Sequence, residues 1–272
     1  MTGAVDSHCH VFDTDAFPYS ADAAYKPPPY EAGTASDLAA VHDAHGITHA
    51  VLVNPTSGYG YDNRCMQAAL RAGIGRFKGI ARVQPGVGDA ALDDLADCGV
   101  IGVRIDLVGD GPIAALHPSV PRLLARVRER GWQVHVQCEK DQLVAAAPVL
   151  RAARVPLVID HVGRPDQAAG LAQAGFRCAL DFGEEGHAIK LSGAFRFASG
   201  RAPYEGADPY VRAAIDAFTL DRCVWGSDWP FLRLPARTDY GPVLAMLTRW
   251  IPDAADRQRV LWHNPARLFG FT

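Results

Sequence analysis

The chain has 272 residues, is 49% hydrophobic, and carries 27 basic against 30 acidic side chains for a formal net charge of -3. That length and apolar content suffice for one large core and match a single α/β domain over residues 1–272. A near-neutral balance without runs of like charge argues against nucleic acid or anionic membranes as partners, and no apolar stretch approaches the roughly 20 residues of a spanning helix.

Met1 to Ser7 lacks a basic segment followed by an apolar one, so no secretory leader is read there. Six cysteines (Cys9, Cys65, Cys98, Cys138, Cys178, Cys223) are scattered without a C-x-x-C pair. That usage suits free thiols in a reducing compartment, and a cytoplasmic location is expected.

In chain order, the first strand candidate is Ala4–His8, followed by a Pro- and Tyr-rich loop, Phe17–Gly33, containing Pro27-Pro28-Pro29-Tyr30. Thr34 can cap a helix through Leu38 and Val41 that stops at Gly46. Strand candidates Ala50–Asn54, Phe77–Val83 and Ile101–Asp106 come next, and Leu123, Leu124 and Val127 form one helical face before Gly131. Gln133–Cys138, Leu157–Asp160, Ala188–Leu191 and Cys223–Trp225 complete the strands, with Asp208-Pro209 opening a helix before the last. Eight β-type runs alternating with amphipathic stretches predict a parallel (β/α)8 barrel. No G-x-G-x-x-G follows the first strand, which disfavours a doubly wound nucleotide-binding sheet.

Barrels place their chemistry at the C-terminal strand ends. The first end carries His8 and His10, which a period of two points to one face. The sixth carries His161, the eighth Asp228, and the fourth Arg104. The joint pattern points to catalysis, whereas His42, His45, His49, His117, His135, His187 and His263, each taken alone, read as packing residues.

Asp6-Ser7-His8-Cys9-His10-Val11-Phe12, Asp160-His161-Val162-Gly163-Arg164-Pro165, Trp225-Gly226-Ser227-Asp228-Trp229-Pro230 and Asn264-Pro265-Ala266-Arg267-Leu268-Phe269 resemble the amidohydrolase superfamily, specifically its lactonases. Phe17-Pro18-Tyr19, Tyr25, Asp62-Asn63-Arg64, Gly102-Val103-Arg104 and Gly131-Trp132 are similar to the 2-pyrone-4,6-dicarboxylate lactonases. The resemblance spans nearly the whole chain and implies a barrel of amidohydrolase type that opens a lactone ring.

Binuclear members of that superfamily use the first-strand H-x-H, a fourth-strand Lys or Glu, histidines on strands five and six, and the eighth-strand Asp. Here the fourth strand offers Arg104, which has no lone pair to ligate with, and the fifth offers Gln137 or Cys138. The expectation is therefore no required cofactor; a single Zn²⁺ or other divalent ion on His8, His10 and Asp228 is the alternative. Asp228 is expected to act as general base while His8, His10 and His161 polarise the carbonyl. Arg104 and Arg196 would hold carboxylates of a small-molecule lactone, with Tyr25, Ser57, Arg64 and Gln137 as further substrate contacts. Gln137 stands where the resembled lactonases show Tyr, which leaves a sugar-acid lactone (fuconolactone or galactarolactone type) as an alternative substrate. A zinc-dependent decarboxylase of the same superfamily and a non-catalytic barrel binding an acidic metabolite are the readings from other classes.

Overall fold

A computed structural model describes residues 3–111 and 115–272. Eight parallel strands follow one another around the sheet in sequence order: β1 (Val5–Cys9), β2 (His49–Val53), β3 (Phe77–Ala81), β4 (Val100–Asp106), β5 (Gln133–Gln137), β6 (Leu157–Ile159), β7 (Ala188–Leu191) and β8 (Cys223–Trp225). The seam between the first and last strands is closed just beyond β8, where His10 donates its amide to the Trp229 carbonyl at 2.9 Å and Asp228 donates to that of His8 at 2.7 Å. The expected strand positions all hold, and only their ends move. The third stops at Ala81 rather than Val83, because the Arg82 amide is taken by the Asn63 side chain instead of a ladder partner.

Helices pack outside the sheet: α1 (Ala35–Ala44), α2 (Arg64–Ala72), α3 (Asp89–Asp97), α4 (Val120–Glu129), α5 (Gln142–Ala153), α6 (Ala174–Glu184), the short α7 (Ala194–Phe197), α8 (Asp208–Phe218) and α9 (Tyr240–Trp250). Thr34 does cap α1, through a capping box with Asp37, and α4 buries Leu123, Leu124 and Val127 as the periodicity requires. No helix among the described residues is long and apolar enough to cross a membrane, and all six cysteines are buried free thiols.

Strand alternation sorts side chains into two cores. Val103, Ile105, Val134, Val136, Leu157, Ile159 and Trp225 point outward into the layer beneath the helices. Val5, Val51, Ile80, Val158, Ala188 and Val224 point inward, and Phe269 and Phe271 near the C-terminus plug that end of the barrel. Each buried ring contributes about 2 kcal/mol of hydrophobic stabilisation. Above this apolar floor the inward positions turn polar: His8, Arg104, His135, Asp160 and Lys190 are all buried.

Candidate active site

The polar end of the barrel opens into a cleft of about 610 Å³ lined by His10, Arg104, Gln137, His161, Arg196 and Asp228 among others. Three local features bring these side chains together. In β1 the pairing register shifts between Asp6 and Cys9. Asp6 consequently binds His42 and Tyr240 of the surrounding helices, while His8 two residues on faces Lys190 inside the barrel. Second, Gly226 lets β8 approach β1, since a Cβ there would lie 2.7 Å from the Cβ of His8 and 2.8 Å from its backbone nitrogen. Third, His161 (φ 53°) and Asp228 (φ 60°) adopt left-handed backbone conformations just past their strands. Such strain costs about 1 kcal/mol or more per residue and concentrates where side-chain direction matters.

Asp228 is the hub. Its Oδ1 lies 3.2 Å from His10 Nε2, 3.7 Å from His8 Nε2 and 3.8 Å from His161 Nε2, and its Oδ2 accepts from Arg196 Nε at 2.7 Å. Burial works to raise the Asp228 carboxyl, but the Arg196 guanidinium, His161 and the His10 hydrogen bond outweigh it and hold the group well below the usual carboxylate range. His10 Nδ1 lies 2.7 Å from the Val53 carbonyl, which can only accept, so that nitrogen carries a hydrogen. His10 Nε2 is thereby left facing Asp228 Oδ1. His161 Nδ1 bonds Ser192 Oγ at 2.9 Å, and burial lowers this imidazole to about 3, so it is neutral at physiological pH.

Beneath these groups lies a charged layer. Lys190 Nζ sits 2.9 Å from His8 Nδ1, 2.8 Å from His135 Nδ1 and 2.9 Å from Asp160 Oδ1. Arg104 Nε donates to Asp160 Oδ2 at 2.9 Å. Burial raises the Asp160 carboxyl, but Lys190, His8 and Arg104 together keep it well below its ordinary value; burial and then Lys190 push His8 and His135 well down.

The expected site residues are mostly gathered here. Tyr25 and Ser57 line the cleft, although the Tyr25 hydroxyl is already donated to Glu31 at 2.5 Å. Gln137 lines it too, with its Oε1 buried and without a hydrogen-bond partner among the described residues. Arg64 is not brought to the cleft: its side chain is 68% exposed at the start of α2 and pairs with Asp62, two residues back, at 2.6 Å. Arg104 and Arg196 do border the cleft, but each has a carboxylate partner within the protein. Three participants were not picked out as site residues from the sequence. Lys190 is the lone charge in Ala188-Ile189-Lys190-Leu191, and a charge inside a barrel strand is the signal that would have flagged it. Asp160 and Arg164 belong to motifs quoted above; Arg164 lines the cleft and pairs with Glu139 at 2.8 Å.

His8, His10 and Asp228 bring ligand atoms within 4.8 Å of one another, close enough to be tested against a metal ion. His10, with Nδ1 bound to a carbonyl and Nε2 turned inward, has the orientation of a ligand. His8 does not fit, because ligation through Nε2 needs a hydrogen on Nδ1, and a lysine ammonium stands 2.9 Å from that atom. Within that group two fitting donors remain, His10 and Asp228, and a second group, His8, Asp160 and His161, depends on His8 as well.

The amidohydrolase family pattern matches residues 5–271. The chain is 34% identical over 279 residues to a 4-sulfomuconolactone hydrolase of Rhizobium radiobacter, covering 98% of this chain and 90% of that one. It is 31% identical over 282 residues to a 2-pyrone-4,6-dicarboxylate hydrolase of Comamonas testosteroni, with the same coverage. Among solved structures it superposes on a probable 2-pyrone-4,6-dicarboxylic acid hydrolase of Acinetobacter baumannii with citric acid bound, at a TM-score of 0.86 and 30% identity over 100% of both chains. A match running from the first residue of β1 to the Phe271 plug leaves no part of the barrel outside it, and the chain belongs to the amidohydrolase family, with lactone hydrolases among its relatives.

Proposed function

We propose that the protein hydrolyses a lactone carrying anionic groups, with a dicarboxylate such as 2-pyrone-4,6-dicarboxylate as the substrate the cleft suits best. The observation that carries this reading is the convergence of three imidazole Nε2 atoms within 3.8 Å of one buried carboxylate oxygen, Asp228 Oδ1. That cluster opens into a cleft bordered by Arg104, Arg164, Arg196 and Arg233. An anionic cyclic ester fits both halves: its ring carbonyl at the imidazoles, its acid groups on the guanidiniums.

In this reading a water held at Asp228 adds to the ring carbonyl carbon as Asp228 takes its proton. His8 and His161 hydrogen-bond the developing oxyanion, the ring C–O bond breaks, and the proton passes from Asp228 to the leaving oxygen. Arg104 commits only Nε to Asp160, so both its Nη groups remain for a substrate carboxylate. Arg196 commits Nε to Asp228 and Nη1 to the Leu232 carbonyl, leaving Nη2. No divalent ion is required in this reading, because the lysine ammonium behind His8 Nδ1 disfavours the tautomer in which His8 Nε2 could ligate one.

The 34% identical 4-sulfomuconolactone hydrolase supports a second reading, in which one acid group is a sulfonate. A guanidinium binds sulfonate oxygens as it binds carboxylate oxygens. The experiment is a pH-indicator screen of dicarboxylate, sulfonated, sugar-acid and neutral lactones, each with and without chelator. Preferential turnover of the dicarboxylate lactone that survives chelation is expected; inertness toward all anionic lactones, or activity restored only by stoichiometric Zn²⁺, overturns the reading.

A further inference from the structure

Lys190 does not line the cleft, yet it is fully buried directly behind His8 on the interior face of β7. An ammonium has three N–H groups and no lone pair, and its three polar neighbours are His8 Nδ1 at 2.9 Å, His135 Nδ1 at 2.8 Å and Asp160 Oδ1 at 2.9 Å. Both imidazoles must then accept at Nδ1 and carry their hydrogen on Nε2. For His8 the opposite end agrees, since its Nε2 faces the Asp228 carboxylate at 3.7 Å, where an N–H is attracted and a lone pair repelled. The reversed tautomer would set Nδ1–H against a cation and an Nε2 lone pair against an anion. His10 is bound the other way, through Nδ1–H to the Val53 carbonyl. The Nδ1 atoms of two histidines two residues apart thus meet different partners, a lysine behind His8 and a carbonyl behind His10.

We infer that Lys190 is a positioning residue that holds His8 as the Nε2–H tautomer, making it a hydrogen-bond donor to the reacting carbonyl oxygen and denying its Nε2 lone pair to a metal ion. The catalytic half of this rests on the lactonase reading above; the tautomer and metal half does not. Asp160 Oδ1 lies 3.3 Å from His8 Nδ1 and is the nearest acceptor once the ammonium is gone. In Lys190→Met, His8 should therefore move its hydrogen to Nδ1, donate to Asp160, and present Nε2 beside His10 and Asp228. A carboxylate behind a ligating imidazole is the arrangement that raises metal affinity by about 10- to 100-fold.

The test is long-range ¹H–¹⁵N NMR of histidine-labelled protein, with the His8 signals assigned from the spectrum of His8→Gln, alongside equilibrium dialysis against Zn²⁺. Wild type should show a pyrrole-type Nε2 and a pyridine-type Nδ1 for His8. Lys190→Met should reverse them, bind Zn²⁺ at least ~10-fold more tightly, and in metal-free form lose kcat with little change in KM. A pyridine-type Nε2 on His8 in the wild type overturns the inference by itself, even if the variant does not fold. A folded variant with unchanged tautomer and unchanged Zn²⁺ affinity overturns it as well. Neither readout uses a substrate, so failure of the lactone screen would remove the lactonase reading without touching this one.

Discussion

The two oxygens of Asp228 have different partners: Oδ1 gathers the imidazoles, and Oδ2 is held at 2.7 Å by Arg196. Asp228→Asn keeps the shape and removes the base, so kcat should fall by at least about 100-fold while the melting temperature is little changed. Near-normal turnover in a folded variant would exclude it as the base. Arg196 keeps the carboxylate ionised to unusually low pH, and a depressed acid supplies its basic form above its own pKa, losing it as pH falls through that value. In Arg196→Met the acid limb of kcat/KM should move up toward the ordinary carboxylate range, and dicarboxylate turnover should weaken by roughly 2–4 kcal/mol, with a much smaller loss on a neutral analogue. An unmoved acid limb with equal losses on both substrates would make Arg196 structural. Arg104 is different in kind, being buried against Asp160 at 2.9 Å. Arg104→Met should cost stability as well as binding, about 3 kcal/mol or more, because it leaves a buried carboxylate short of one cation.

At the scale of elements, the site depends on how β1 meets the segment after β8. The buried Asp6 carboxylate takes the Ser227 amide at 2.9 Å, the Ser227 hydroxyl at 2.5 Å, the Tyr240 hydroxyl at 2.9 Å and His42 Nε2 at 3.3 Å. It therefore ties β1, the turn carrying Asp228, α1 and α9 to one point. Asp6→Asn replaces an acceptor oxygen by a donor among groups that are themselves donors. It should lower stability by about 2–4 kcal/mol and lower kcat through the loosened His8–Asp228 register. Thr34→Ala, which removes only the α1 cap, should cost about 1 kcal/mol and leave kcat unchanged. Calorimetry and steady-state kinetics on both variants separate the two outcomes; equal kinetic effects would refute the special role of the seam. The sequence pattern showed His8 and His10 sharing a face, but by the same period of two Asp6 belongs with them. The register shift that turns Asp6 outward is set by pairing with β2, and no residue in the β1 segment announces it.

For the whole molecule, three buried imidazoles, His8, His135 and His161, are kept neutral in the fold, chiefly by burial. Their folded values lie below the ordinary value near 6.5, so the unfolded chain binds more protons than the native one once pH drops under about 6.5. Stability should therefore fall as pH is lowered from about 6.5 toward 4, by up to about 1.4 kcal/mol per pH unit for each of the three groups. The depressed Asp160 and Asp228 add their own loss only further down, below the ordinary carboxylate range. Melting temperatures measured from pH 7 to 4 check this, with His135→Gln expected to flatten the slope by one proton's worth. A flat profile over that interval would mean these imidazoles are not held neutral.

Much of the fold was legible because it is local. Strand runs, helix faces and the Thr34 cap are set by residues a few positions apart, and eight such units of this length have one favoured closed arrangement. The His8, His10, His161 and Asp228 constellation was legible for the same reason, since strand ends are readable and barrels converge there. What only the tertiary structure decided is which partner each polar group meets. Arg64 turned to Asp62 rather than to the cleft, Arg104 and Arg196 acquired carboxylates from just past β6 and β8, far away in sequence, and Lys190 came to rest between two histidines from β1 and β5. Proton position, carboxylate basicity and fitness for a metal all depend on charges within a few ångströms in space, and separation along the chain carries almost no information about those distances.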